Sequence, residues 1–311
     1  MRERRIEGVF RNIGKRKKAA MFELVQAGER TWYIDNPNIM GIYQFNETDV
    51  CMIDTGNGDK SAQAAQEILE AHSWRLAFII NTHSHIDHLG GNKYLMKAWN
   101  CPAYETNVEN AFANHRRLEA SYMFGGYPFR QMKQFFDHPG PIGFQDIEDF
   151  TLPHGLEYID LPGHSFGMIG VKTSDGVWFL GDSVLNQKCL EKYQFGYLVD
   201  VEKYLETLDL LETMEGNLFI PAHGDVVKDI RPLARGNRAN IEKNIAALLE
   251  NCGQGKSYDE ILKGVYDHYG MKANFIQHAV VGSALRCYLT YLQDRGLLEC
   301  FFDGNIMKWK S

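Results

Sequence analysis

The sequence predicts an α/β chain: two β-sheets packed as a sandwich, helices over their outer faces, and a small helix–helix–hairpin unit at the C-terminal end. Three observations predict it. Residues 22–53 read as strands alone. From residue 59 onward strand-like and helix-like runs alternate, the pattern of sheets covered by helices. After a glycine-containing break near residue 253 the pattern becomes two amphipathic helices and a hairpin.

In order, Phe22 to Gln26, Thr31 to Ile34 and Met40 to Phe45 read as short strands, with Ala27-Gly28-Glu29 as a turn. Val50 to Ile53 is the next strand. Asp59 is placed to cap a helix running through His72, with Ala62, Ala65, Ile68 and Leu69 at apolar positions. Leu76 to Ile80 is an unbroken apolar run, the mark of a buried strand. Asn92 to Trp99 follows as a short helix.

Residues 101–150 break this rhythm. Phe112, Tyr122, Phe124, Tyr127, Phe129, Phe135 and Phe136 crowd around Gly125-Gly126, with His115, Arg116, Arg117 and Arg130 among them. Two readings stand: a lid or substrate pocket, with Tyr122, Tyr127 and Arg130 facing substrate, or helices packed on the body or on a second subunit.

Strand-like runs resume between Leu156 and Asp182. Asp200 is placed to cap a helix to Met214, with Tyr204, Leu208 and Leu211 on one face and Gly216 as the stop. Asn217 to Ile220 is a strand, and a helix follows Pro232 with Ile241, Ile245 and Leu248 in register. Asn251 to Gly255 reads as a linker. Ser257-Tyr258-Asp259-Glu260 is a capping box, opening a helix with Leu262, Val265 and Tyr269 inward. A second helix uses Val281, Leu285, Tyr288 and Leu292 and stops at Gly296. Leu297 to Trp309 alternates around Asp303-Gly304, a hairpin signal. The expected division is a basic arm at 1–20, a main domain at 21–250 with its insertion at 101–150, and a C-terminal domain at 257–311.

With 311 residues, 44% hydrophobic and 23% charged, the chain has an ordinary globular composition. No apolar run approaches 18 residues, so no membrane-spanning helix is expected. The first twenty residues lack the apolar core of a secretory signal, and Met21 is an alternative start. Six widely spaced cysteines without Cys-x-x-Cys give no disulfide or zinc-finger framework and suit a reducing cytoplasm. The net charge of −7 is uneven: residues 1–20 carry +6 and the rest −13. An acidic body is a poor platform for nucleic acid, and the basic arm reads as solvated.

The chemistry centres on Asn81-Thr82-His83-Ser84-His85-Ile86-Asp87-His88-Leu89-Gly90-Gly91. Three histidines and an aspartate fall within six positions, directly after a buried strand. Such groups are costly to bury unless something pairs them. Imidazole and carboxylate suit zinc, with iron or manganese as substitutes. His83 and His85 point the same way in extended chain, while Asp87 and His88 follow the turn and can face a second point. His72, His115, His138, His154, His268 and His278 lack ligand spacing. Ser84, Ser165 and Ser183 read as small loop-formers.

His-x-His-x-Asp-His after an apolar strand resembles the metallo-β-lactamase superfamily, and four further segments match in order: Asp54-Thr55-Gly56-Asn57-Gly58, Gly163-His164-Ser165, Gly181-Asp182-Ser183 and Pro221-Ala222-His223-Gly224-Asp225. The resemblance covers about residues 21–250 and implies an αββα sandwich with two divalent metals, zinc first among them. It implies His83, His85 and His164 on one metal, Asp87, His88 and His223 on the other, Asp182 bridging, and Asp54 orienting the metal loop. Asp87 and Asp182 would be the catalytic carboxylates. Class B β-lactamases carry cysteine where this chain has Asp182, so the pattern is closer to the glyoxalase II and RNase Z side. Flavodiiron-type members carry glutamate where His85 stands. The C-terminal helices and hairpin resemble the winged-helix tail of one branch.

The reaction implied is hydrolysis of a small ester, thioester or lactone by a hydroxide shared between the metals. Alternatives are a phosphodiesterase or ribonuclease, an iron-dependent persulfide dioxygenase, and a non-enzymatic winged-helix DNA module. With six basic and six acidic residues in 257–311, DNA reading is disfavoured. A small-molecule substrate and a homodimer are the partners expected. Deleting 257–311 is expected to alter substrate range more than metal content.

Overall fold

The computed structural model describes residues 22–115, 117–135 and 142–311. The basic arm, Arg116, the Phe135 side chain, Phe136 and His138 lie outside what is described.

Seven strands form one sheet in chain order: β1 (Glu23–Gln26), β2 (Thr31–Asp35), β3 (Met40–Gln44), β4 (Asp49–Ile53), β5 (Arg75–Ile80), β6 (Ala103–Glu105) and β7 (Gln145–Asp146). The first four are antiparallel; from β4 on, neighbours are parallel. A second sheet is built from β8 (Leu156–Asp160), β9 (Ile169–Thr173), β10 (Val177–Phe179) and β11 (Leu218–Ile220), in the order β11-β10-β9-β8. β10 and β11 run parallel; β8 and β9 are antiparallel.

The two-residue period of a strand sorts its side chains between layers. Cys51, Ile53, Phe78, Ile80, Val171, Val177, Phe179, Leu218 and Ile220 meet in one core between the sheets. Their neighbours Val50, Met52, Leu76 and Ile79 turn to the opposite face of the first sheet. There they pack against Ala62, Ala65 and Leu69 of α1 (Asp59–Ala71) and Leu95 of α3 (Asn92–Trp99). Between these helices lies α2 (Ile86–Leu89), a single turn. Trp178, Leu180 and Phe219 face outward from the second sheet. This layering is the expected helix–sheet–sheet–helix sandwich.

The 101–150 segment is only partly an insertion. Its ends supply β6 and β7 to the first sheet. Between them stand α4 (Asn107–Asn114), α5 (Leu118–Phe124) and α6 (Arg130–Phe135). After β10 come α7 (Gln187–Tyr193) and α8 (Val201–Thr213), the latter capped by Asp200, which accepts from Lys203 N–H as expected. By contrast Asp59 does not cap α1. Gly58 holds that position and Asp59 sits in the first turn, where its charge still favours the helix N-terminus.

α9 (Arg231–Cys252) runs into the expected linker, so the break is only Gly253 to Gly255. A small sheet of order β12-β14-β13 follows, from β12 (Lys256–Ser257), β13 (Glu299–Asp303) and β14 (Ile306–Lys310). α10 (Tyr258–Tyr269) opens with the capping box formed in full. In α11 (Phe275–Asp294) Val281, Leu285, Tyr288 and Leu292 are all buried. These helices share one apolar core with α8, α9 and the outer face of the second sheet. α11 also packs on α5 and α6. Among the described residues no helix is long and apolar enough to cross a membrane, and the six cysteines form no disulfide.

Candidate metal centre

Parallel pairing brings strand ends together. β4 and β5 end at one edge of the first sheet, β10 and β11 at one edge of the second. Asp54 follows β4, His83 to His88 follow β5, His164 follows β8, Asp182 follows β10 and His223 follows β11. Loops at the C-terminal ends of strands are where rigid sheets present side chains to ligands.

The seven candidate side chains converge. His85 Nδ1 lies 3.0 Å from His83 Nε2 and 3.1 Å from His164 Nε2. Asp87 Oδ2 lies 3.1 Å from His223 Nε2. Asp182 stands between the groups: Oδ1 is 3.5 Å from His88 Nε2, and Oδ2 is 3.5 Å from both His164 Nε2 and His223 Nε2. His83, His85 and His164 have their donor atoms within 4.8 Å of one another, as do Asp87, His88 and His223. Among the described residues His72, His115, His154, His268 and His278 join no such group.

These residues fit metals. Two neutral ring nitrogens face each other at 3.0 Å only with a proton or a cation between them. Donors bonded to one zinc at about 2.0–2.1 Å lie roughly 3.3 Å apart in a tetrahedron. Among the described residues His88 Nε2 and Asp182 Oδ1 are buried without a hydrogen-bond partner, an arrangement that costs free energy unless a cation is shared.

On His83, His88 and His223 the nitrogen turned away from the convergence is held. His88 Nδ1 lies 2.9 Å from Asp54 Oδ2. His83 Nδ1 lies 3.0 Å from Thr82 Oγ1, which itself donates to Asp54 Oδ2 at 2.8 Å. His223 Nδ1 lies 3.1 Å from the Pro37 carbonyl. Asn38 donates to Asp87 Oδ2 at 2.7 Å. Such partners fix ring orientation and tautomer. Gly163 lets the His164 loop pass. Its φ is +121°, and a Cβ there would meet the backbone N and Cα of Tyr204 at 2.4 Å.

Burial pushes the imidazoles of His83, His85 and His164 down, the last two to about 4, so they are neutral near pH 7. Burial also pushes His88 and His223 down, but Asp182 and the neighbouring carboxylates outweigh it and hold both up. Burial pushes Asp87 and Asp182 up, and the facing imidazoles outweigh it, keeping both well below the usual carboxylate range.

Of the expected pocket residues, Tyr122 is half-buried against Phe112 and Phe166, with its hydroxyl 3.8 Å from Cys287 Sγ. Tyr127 is 73% exposed and Arg130 is exposed, and neither lines the clefts at the cluster. Sequence reasoning missed Tyr197, whose ring centroid lies 5.6 Å from that of His85 and 5.9 Å from that of His164. It also missed Glu119 on α5, 3.9 Å from His85 Nε2, its carboxyl pushed up to about 8 by burial and by Asp87. Neither carried a spacing signal. A narrow cleft runs from His164 and Asp182 past Tyr197 to Ile241 and Tyr288.

A family model described as the metallo-beta-lactamase superfamily matches residues 36–223, from the loop before β3 to His223. The chain belongs to the metallo-beta-lactamase superfamily. Divalent metals, typically zinc, are what this superfamily binds. The likeness of fold reaches beyond the matched residues: a beta-lactamase domain protein from Burkholderia ambifaria superposes with a TM-score of 0.74 over 95% of each chain at 17% identity. A metallo-beta-lactamase family protein from Thermus thermophilus gives 0.67 over 90% of this chain and 98% of that one, at 19% identity. In sequence the chain is 29% identical over 126 residues to a hydroxyacylglutathione hydrolase of Methylococcus capsulatus, spanning 40% of each chain. It is 22% identical over 213 residues to an atrochrysone carboxyl ACP thioesterase of Aspergillus fumigatus, spanning 66% of this chain and 58% of that one. The chain thus spans about two fifths of the length of the first relative.

Proposed function

We propose that the protein is a dinuclear metal-dependent hydrolase of a small acyl substrate, a thioester before an ester or lactone. The observation that carries this is Asp182, whose carboxylate lies 3.5 Å from His164 of the first donor group and 3.5 Å from His88 and His223 of the second. Two superfamily relatives bear the names hydroxyacylglutathione hydrolase and thioesterase, which favours the thioester.

His83, His85 and His164 would hold one metal, Asp87, His88 and His223 the other, with Asp182 common to both. Zinc suits this donor set; iron and manganese are accepted by the same atoms. When bound, such a pair lowers the pKa of water from 15.7 toward about 7 and polarises an acyl oxygen. The chain's own residues supply the rest. Asp87 and Asp182 stay ionised and neutralise cationic charge. Asn38 fixes the Asp87 carboxylate through Oδ2. Asp54 keeps His88 facing inward through Nδ1. Tyr197 walls the site beside His85 and His164.

The test is metal analysis with a hydrolysis panel of acyl thioesters, esters, lactones, RNA and persulfide. About two metals per chain with thioester turnover supports the proposal. Cleavage of RNA alone would replace it with a phosphodiesterase, and one iron with oxygen uptake would replace it with a dioxygenase.

A further inference from the structure

α4 begins with Thr106-Asn107-Val108-Glu109, the pattern in which two side chains close the first turn of a helix on itself. Neither side chain does so. Thr106 makes no side-chain cap bond; its Oγ1 donates to the Gly167 carbonyl at 2.9 Å. Glu109 is 1% exposed. Its Oε2 accepts from the Ser84 N–H at 2.9 Å and the Ser84 hydroxyl at 2.5 Å, and its Oε1 accepts from the Gly167 N–H at 2.8 Å. Forgoing a cap costs helix stability. A local rule broken without local gain points to a role elsewhere.

That role follows from the partners. Ser84 lies between His83 and His85, and Gly167 lies three residues past His164. One buried carboxylate therefore ties together the two loops that carry the first ligand group. The approach is close: a Cβ on Gly167 would meet Thr106 Oγ1 and Val108 Cγ1 at 2.4 Å. The second group is supported by other atoms: Asn38 at Asp87, Asp54 at His88 and the Pro37 carbonyl at His223.

We propose that Glu109 is a positioning residue that clamps the His83–His85 loop to the His164 loop and so sets the affinity of the first metal pocket, leaving the second unaffected. This rests on the dinuclear reading above. A glutamine in its place keeps the shape but presents an NH2 to at least one of the three donors, so one arm of the clamp must open.

Cobalt(II) titration of the full chain, followed by visible absorption and by the melting temperature of the metal-free protein, tests this. Wild type should fill in two steps, and His85→Ala identifies the step belonging to the first pocket. Glu109→Gln should weaken that step by about 10–100-fold and shift its absorption bands, leaving the other step in place. Glu105→Gln is the control, since among the described residues this buried carboxyl on β6 has no hydrogen-bond partner and so bonds to neither ligand loop; it should leave both steps unchanged. Equal weakening of both steps by Glu109→Gln, or no weakening, overturns the proposal. Should Glu109→Gln not fold, Ser84→Ala removes one donor of the clamp, and an unchanged first step in that variant overturns it equally. A wild type that loads cobalt yet hydrolyses no acyl substrate would sink the functional reading and leave the clamp standing.

Discussion

Asp54 occupies the left-handed region at φ +59°, conformational territory that aspartate and asparagine tolerate better than most residues. Both its oxygens are committed: Oδ1 accepts from the Thr82 N–H at 2.8 Å, and Oδ2 takes the Thr82 hydroxyl and faces His88 Nδ1. Asp54→Asn keeps the backbone and removes one acceptor. It should lower metal affinity about 10–100-fold with little change in circular dichroism; full metal content after dialysis against a mild chelator would refute that. The His83 to His88 cluster was legible because it follows an apolar strand and has no cheap alternative use; His164, Asp182 and His223 came from the family resemblance, and the structure brings all seven side chains together. Glu109, Glu119 and Tyr197 were not readable. Thr106-Asn107-Val108-Glu109 looks like any helix start, and only the tertiary approach of Gly167 diverts it.

At the scale of elements, the strand ends and the glycine that shapes one of them make separate predictions. Gly163→Ala forces a Cβ against the Tyr204 backbone at a φ that disfavours side chains. The strain alone is worth about 1–3 kcal/mol, so the urea midpoint should fall and His164 should shift; an unchanged midpoint would mean that α8 yields. At the far end of the first sheet, Arg75 and Asp49 pair across β4 and β5 at 2.6 Å. The Arg75 guanidinium, then Asn46, hold the Asp49 carboxyl below its ordinary value. A lowered folded pKa stabilises the fold above the unfolded value near about 3.9 and ceases to do so as pH drops through the folded one. Arg75→Ala should therefore cost stability at pH 7, and that cost should shrink as pH falls below the unfolded value. A gap between variant and wild type that widened on acidification would contradict this. Element types were legible from periodicity alone: α8 and α11 bury the faces expected. The joining of β6 and β7 to the first sheet was not, since runs of three and two residues carry no period.

For the whole molecule, the shared core changes one expectation. Leu262, Val265, Leu285 and Tyr288 pack in the same cluster as Leu161, Trp178 and Leu208. Removing residues 257–311 would strip that cluster, so loss of soluble protein is expected, more than altered substrate range. A folded, metal-loaded truncation would restore the expectation of a separable tail. The tail's helices and hairpin were legible, but their core partners were not, because apolar faces on helices do not name what they meet.

The candidate ligands come from loops of both sheets: His83 to His88 from the first, His164, Asp182 and His223 from the second. A cation seated there would act as a rivet through the two halves of the sandwich. Anything that binds only the folded state at a thousand times its dissociation constant adds about 4 kcal/mol. Stripping the rivets should lower the melting temperature and quicken amide exchange in β5 and β10 together, though those strands share no hydrogen bond.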